Sequence, residues 1–141
     1  MVPSYVSLLS ALSYHGIVPE LVVTTTSATT ARPECFSTTA GQCIYQHVKQ
    51  ELFWGYELVK LAGGDEAFMA TPEKALLDVV HLQSSPNASR VRRGLRLQNL
   101  ERLDAARLRD AVKLARSPRV LKVGEVIDQM MRDDAQEYET L

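Results

Sequence analysis

Three observations predict an α+β fold for this chain. Two helix starts are strongly signalled, at Ser7 and at Thr71-Pro72-Glu73. Between them, β-branched and aromatic runs are separated by short glycine turns, a pattern that favours antiparallel pairing. Beyond residue 103 the apolar residues recur at helical spacing instead. The expectation is a small, mostly antiparallel sheet flanked by helices, with a helical C-terminal part.

Each element has its own physical warrant. Tyr5-Val6 reads as a short extended entry, and Ser7 as the N-cap of a helix that carries Leu8, Leu12 and His15 at helical spacing. Gly16 stops that helix, because only glycine enters the left-handed C′ conformation cheaply, and Pro19 keeps it from resuming. Residues 21–26 are β-branched and predict a strand, with 27–33 as a loop. Residues 35–37 and 42–48 predict two strands joined around Thr39-Ala40-Gly41, with Cys35 and Cys43 facing each other across the hairpin. Phe53-Trp54-Gly55-Tyr56 concentrates the aromatic residues, and 56–61 with 66–70 predict a second hairpin turned by Gly63-Gly64.

The second half is helical. Thr71 caps, Pro72 at N1 loses no hydrogen bond, and Glu73 meets the positive end of the dipole; Ala75, Leu76, Val79 and Val80 then share one apolar face. Residues 84–89 break the pattern and read as a loop. Asp104 caps a helix with the stripe Leu108, Ala111, Val112 and Ala115. Ser117-Pro118 starts another, with Val120, Val123, Ile127 and Met130. Gly124 inside it costs about 1 kcal/mol of helix propensity. The expected organisation is one domain over 1–132, comprising a mixed core over 1–89 and a basic helical part over 90–132. A frayed acidic tail over 133–141 follows.

Charge is balanced overall and uneven locally. The net charge of the 141 residues is −1, so no bulk attraction to nucleic acid exists. Residues 1–89 carry four basic and eight acidic side chains, a net of −4; residues 90–122 carry eleven basic and three acidic, a net of +8; residues 123–141 carry one basic and six acidic, a net of −5. Arg90, Arg92, Arg93 and Arg96 precede the Asp104 helix, and Arg109, Lys113 and Arg116 lie on it opposite the apolar stripe. These seven are the candidate nucleic-acid-binding residues, since phosphate contacts require density of charge rather than base-specific geometry. Internal neutralisation by Glu101, Asp104 and the acidic C-terminus is the competing reading.

Signals for catalysis, metals and membranes are weak. No Gly-x-Ser-x-Gly elbow or phosphate-binding glycine loop occurs, so no catalytic residue and no cofactor is expected. His15, His47 and His81 do not pair with Cys35 or Cys43 at metal spacing, and no metal is expected. Two cysteines make no disulfide framework, no run approaches a membrane span of roughly 18 apolar residues, and no signal peptide stands at the N-terminus; cytoplasmic location follows as the expectation. Lys74 and Asp78, four apart, read as a pair on a solvated helix face. Phe53, Trp54 and Tyr56 read as core aromatics rather than base-stacking platforms.

Five stretches, in their order and spacing, resemble the core domain of AbiEi-type antitoxins. They are Tyr5-Val-Ser followed by Ala11-Leu-Ser-Tyr-His-Gly-Ile-Val-Pro-Glu20; the Thr/Ser-rich run leading to Arg32-Pro33 and Phe36; Gly41 with Tyr45-Gln-His-Val-Lys49; Leu52-Phe-Trp-Gly-Tyr-Glu57; and Ala70-Thr-Pro-Glu-Lys-Ala-Leu-Leu-Asp78. Leu95-Arg-Leu-Gln-Asn-Leu100, Leu103-Asp104 and Ser117-Pro118 resemble the family's C-terminal helical part. The resemblance implies the antidote half of a bacterial type IV toxin–antitoxin system, a non-enzymatic cytoplasmic protein encoded beside a nucleotidyltransferase-like toxin. Such antitoxins counteract the toxin without a stable complex and repress their own operon, and some systems abort phage infection. In the family an N-terminal winged helix, ahead of the segment corresponding to Tyr5, leads operator binding. This chain begins at Met1-Val-Pro-Ser-Tyr5, so autonomous operator reading is not expected of it, and the basic residues 90–122 would only assist DNA contact. Leu9 also departs from the family pattern, in which an acidic residue is usual. A plain basic nucleic-acid-binding module is the alternative, followed by a toxin-modifying phosphotransferase.

Overall fold

Short turns and extended β-branched or aromatic runs assemble one six-stranded sheet. The computed structural model describes residues 4–19, 24–39, 41–61, 63–81, 93–115 and 117–139. The strands are β1 (Ser4–Val6), β2 (Thr25–Thr29), β3 (Glu34–Thr38), β4 (Gly41–His47), β5 (Tyr56–Lys60) and β6 (Glu66–Ala70). They lie side by side in the order β3-β4-β2-β1-β6-β5. The main helices are α1 (Leu8–Tyr14), α2 (Pro72–His81), α3 (Ala105–Ala115) and α4 (Pro118–Glu139). Single 3-10 turns stand at Gln50–Leu52 and Leu100–Arg102.

The class is α+β, as predicted. The two glycine-turned hairpins, β3–β4 and β5–β6, are antiparallel and form opposite edges of the sheet. The centre differs from a simple meander. β1 pairs β2 antiparallel but β6 parallel, and β2 pairs β4 parallel. The first strand of the chain therefore stitches the two hairpins together, a long-range pairing that turn chemistry alone does not encode.

Three local expectations are corrected, and a fourth falls outside the described residues. β2 runs over Thr25–Thr29 rather than ending at Thr26, and residues 20–23 lie outside the described residues. Ser27, Ala28 and Thr29 are buried in the sheet centre, and α1 packs beside β2. Ser10 ties the helix down, accepting from the Thr26 amide at 2.8 Å and donating to the Thr24 carbonyl at 2.9 Å. Cys35 and Cys43 do not face each other: Cys35 stands opposite Ile44, and Cys43 opposite Phe36. A one-residue offset puts them on opposite faces of the sheet. α4 continues to Glu139, so the acidic run after residue 132 extends a helix over 133–139. Finally, the loop expected over 84–89 lies outside the described residues.

The helices behave as their caps dictate. Asp104 Oδ1 accepts from the amides of Ala106 (2.8 Å) and Arg107 (3.3 Å), closing the N-terminus of α3. Thr71 Oγ1 accepts from the Lys74 amide, closing that of α2. α2 contacts α1, α3 and α4, and every residue from Glu73 to Val80 is buried. Leu76, Val80, Val120, Val123, Ile127 and Met130 share one core cluster with Tyr5, Leu12 and Ile17. Gly124 is explained by closeness: a Cβ there would sit 2.5 Å from Val112 Cγ2 across the α3–α4 contact. Gly124→Leu is therefore expected to destabilise the protein by about 1–3 kcal/mol through overpacking, despite better helix propensity. In urea titrations, Val112→Ala added to Gly124→Ala should recover stability non-additively; simple additivity would contradict the close contact.

Candidate functional site

Two polar groupings emerge from the fold, one on the surface and one in the core. The surface grouping is the basic segment. Of the seven candidate residues, Arg90, Arg92 and Arg116 lie outside the described residues. Arg93 and Arg96 are exposed on the segment leading to the second 3-10 turn. Arg109 and Lys113 are exposed on α3, four residues apart on one face and away from buried Leu108, Ala111 and Ala115. The structure thus distributes the described candidates over two elements. Arg107 and Lys122 add further exposed cationic groups to α3 and α4.

Part of the positive charge has a structural task. A helix leaves its last carbonyls without intrahelical partners. At the end of α1, Arg102 Nη1 donates to the His15 carbonyl at 3.2 Å, and Asn99 Nδ2 donates to the Gly16 carbonyl at 2.8 Å. The Gln98 amide donates to the Ile17 carbonyl at 2.8 Å. Gly16 has φ +77°, and a Cβ there would lie 2.5 Å from Arg102 Nη1, so the terminator glycine is also the seat of that guanidinium. At the end of α2, Arg119 Nη2 donates to the His81 carbonyl at 2.7 Å. Cations near helix C-termini also meet the negative end of the dipole. Arg102 and Arg119 thus have a structural task as well as an exposed charge, which distinguishes them from cations with no such contact to a helix end.

The core grouping centres on α2 and overturns the expectation of a solvated Lys74–Asp78 face. Both side chains are buried, Lys74 at 1 % and Asp78 at 3 % exposure. Lys74 Nζ donates to Asp78 Oδ1 in a close i,i+4 ion pair. Tyr5 Oη and Ser7 Oγ both donate to Asp78 Oδ2, at 2.9 and 2.7 Å. A buried carboxylate is stable only with such a full set of donors. The ammonium lies 4.9 Å from the Trp54 ring centroid and 5.6 Å from that of Tyr5, adding cation–π attraction. Burial raises the Tyr5 hydroxyl well above its ordinary range, and the Asp78 charge raises it further, so the phenol remains a donor.

Neighbouring backbone is shaped around this pair. Gly55, at φ +80°, passes so close over Lys74 that a Cβ would stand 2.7 Å from its Cγ. The Gly55 carbonyl accepts from the Thr71 amide at 3.0 Å, fastening the aromatic loop to the start of α2. Ser7 precedes α1 without capping it through its side chain, since its hydroxyl is committed to Asp78. Its amide donates to the Thr26 carbonyl, and its carbonyl accepts from Thr26 Oγ1. These fixed contacts hold Leu8 at φ +58°, a left-handed conformation that costs of order 1–3 kcal/mol. Glu73, expected at a solvated dipole end, is buried and accepts from the Asp104 amide at 3.1 Å, linking α2 to α3. The remaining histidines serve the backbone: His15 Nε2 meets the Ala70 carbonyl at 2.8 Å and His47 Nδ1 the Ala31 carbonyl at 3.0 Å.

Sequence reading missed this cluster although a signal existed. Ala75, Leu76, Leu77, Val79 and Val80 make α2 apolar on nearly every side, which marks a helix enclosed by the core. Polar residues on such a helix must be paired. Three of the stretches that carry the family resemblance, at Tyr5-Val-Ser7, Trp54-Gly-Tyr56 and Thr71 to Asp78, meet in this one cluster. Among the described residues no group of three metal-ligating side chains occurs, and no described helix is long and apolar enough to cross a membrane. No protein-family model matches the chain, and no curated protein matches it significantly.

Lys74→Met leaves Asp78 buried beside no cation and should lower stability by about 3–5 kcal/mol in urea unfolding. The Lys74→Met/Asp78→Leu pair should cost clearly less than the sum of the two single changes, and additive costs would contradict a coupled pair. His81 supplies a pH dependence. Burial first, then the Arg119 charge, lowers its pKa below the ordinary 6.5. The unfolded chain therefore binds the proton more readily, and stability rises with pH between the lowered value and about 6.5. Acidification through that window should destabilise the protein, and His81→Gln should flatten this part of the stability profile.

Proposed function

We propose that this chain is an antitoxin-type domain that counteracts a nucleotidyltransferase-like toxin and adds DNA contact to operon autoregulation. It acts in the cytoplasm as a non-enzymatic protein. The observation that carries the reading is the convergence of the family-like stretches on the Asp78 cluster. Capping and packing motifs taken singly are common. Their residues here are mutually dependent, because the tyrosine, serine, glycine, lysine and aspartate each satisfy or make room for another. A shared set of coupled residues supports the resemblance more strongly than shared composition.

The DNA-contacting part of the reading rests on the solvent-facing cations of the C-terminal region, Arg93, Arg96, Arg107, Arg109, Lys113 and Lys122. Their support is electrostatic, so they supply affinity rather than base reading. The same observation favours the second reading, a basic nucleic-acid-binding module with no antidote role.

Growth rescue separates the two. The chain is co-expressed with the toxin encoded beside it, next to an Arg90/Arg92/Arg93/Arg96→Ala variant. Rescue by the intact chain is expected. Failure of the folded protein to rescue would contradict a sufficient antitoxin domain and leave the nucleic-acid-binding reading. In parallel, the variant should weaken binding to operator-length duplex and reduce the salt slope by about one for each phosphate it no longer neutralises. An unchanged slope would remove these arginines from the interface.

A further inference from the structure

The β5–β6 hairpin carries an apolar surface that the core does not use. Among the described residues, the exposed large apolar side chains Leu58, Leu61 and Phe68 all belong to this hairpin. Leu58 and Phe68 stand opposite each other in the register, so they share one face of the sheet. They are 55 % and 50 % exposed. β5 is also the last strand of the sheet, with a strand neighbour on one side only.

Hydrogen bonds of the hairpin fix which backbone groups point outward. The Leu61 amide donates to the Asp65 carbonyl at 2.7 Å, and the Thr71 amide to the Gly55 carbonyl at 3.0 Å. Both pairs continue the register that joins Tyr56 to Ala70 and Lys60 to Glu66. Bonded and non-bonded pairs alternate along an antiparallel ladder. Glu57 and Val59 therefore turn their amides and carbonyls toward β6, whereas Tyr56, Leu58 and Lys60 turn theirs to the open edge. Such an edge is a template for another strand.

Symmetry and charge select the strand that fits. A two-fold axis normal to the sheet sets β5 antiparallel to a second β5. Directly opposite residues share a face, so the axis passes through a residue position. Centring on Glu57 opposes two carboxylates, and centring on Lys60 opposes two ammonium groups. Centring on Val59 sets Leu58 against Lys60, and centring on Tyr56 carries Leu58 and Lys60 past the end of the partner strand. Centring on Leu58 engages the outward groups of Tyr56, Leu58 and Lys60 in both copies. It places Leu58 against the partner's Leu58 and Lys60 against the partner's Tyr56, with no like charges directly opposite. Phe68, Leu58, the partner's Leu58 and the partner's Phe68 then form one apolar row across the junction.

We infer that the chain forms a two-fold symmetric dimer through the open edge of β5, centred on Leu58. The occupant is a second copy of this chain, because the strand supplies its own complement in that register. The pairing is short and the apolar row small, so the association is weak, on the order of 10–100 μM. The inference is independent of the antitoxin reading and of the basic segment.

Sedimentation equilibrium of the full chain, over concentrations bracketing that range, tests this. Leu58→Pro removes an outward amide at the axis and spares the bonds of Glu57 and Val59 to β6, as proline on the open side of an edge strand does. Leu58→Lys opposes two ammonium groups at the same position. A reversible monomer–dimer equilibrium is expected for the parent. Each variant should weaken it by about tenfold or more, with the circular dichroism spectrum unchanged. Should proline disturb the hairpin, the lysine variant decides. Leu121→Lys, at another exposed leucine, should dimerise as the parent does. A parent that stays monomeric throughout, a dimer that survives the Leu58 changes, or an equal loss in Leu121→Lys would each overturn the inference. So would growth to larger assemblies, because pairing about a two-fold axis uses up both edges.

Discussion

The carboxylate of Asp78 is the group on which the rest of the architecture depends. It is enclosed by the core and charged, so its oxygens must be met by donors or the fold loses several kcal/mol. Lys74 meets it from the same helix, and Tyr5 and Ser7 from a segment some seventy residues earlier. Lys74 is in turn roofed by Trp54 and overlain by the backbone of Gly55. The first strand, the aromatic loop and α2 are thereby made conditional on one another. This explains why β1, only three residues long, can hold the centre of a six-stranded sheet. Its ladder is short, and the Tyr5 side chain adds a second attachment through the core.

A second set of constraints joins the C-terminal region to this core. Asn99 and Arg102 satisfy the last carbonyls of α1, Arg119 does so for α2, and Glu73 receives the amide of Asp104 at the start of α3. Each contact satisfies a backbone group that a helix end leaves open. The strongly basic segment therefore has a divided role. Two of its exposed guanidinium groups, those of Arg102 and Arg119, complete helix termini, and other exposed cations of the segment make no such contact to a helix end. Charge counts along the sequence merge these two populations, and only tertiary contacts separate them.

What the sequence made legible, and what it hid, follows the range of the forces involved. Helix boundaries at Thr71, Asp104 and Ser117 were readable because caps and prolines act within three or four residues; the start of α1 at Ser7 was placed correctly although the Ser7 hydroxyl bonds Asp78 instead of capping the helix. Both hairpins were readable because glycine turns are local. The parallel pairings of β1 with β6 and of β2 with β4 were not, since strand partners far apart leave no local mark. The extent of β2 was misplaced for a related reason: Ser27 and Ala28 have little strand propensity, and neighbours on both sides decide their conformation. Lys74 and Asp78 were read as solvated because charge usually is, although the apolar residues around them pointed to burial. The basic candidates were legible as a charged run, but not which of them cap helices.

The proposed antitoxin reading rests on the same cluster, because the residues on which it was proposed constrain one another. Amide hydrogen exchange on a Tyr5→Phe/Ser7→Ala variant, compared with the parent, addresses this interdependence most directly. Removing both hydroxyl donors should accelerate exchange together in β1, in the loop over residues 53–56 and in α2, with the helix ends held by Arg102 and Arg119 less affected. Acceleration confined to β1, with α2 and the aromatic loop protected as before, would contradict a single coupled cluster and reduce the motifs to independent packing features.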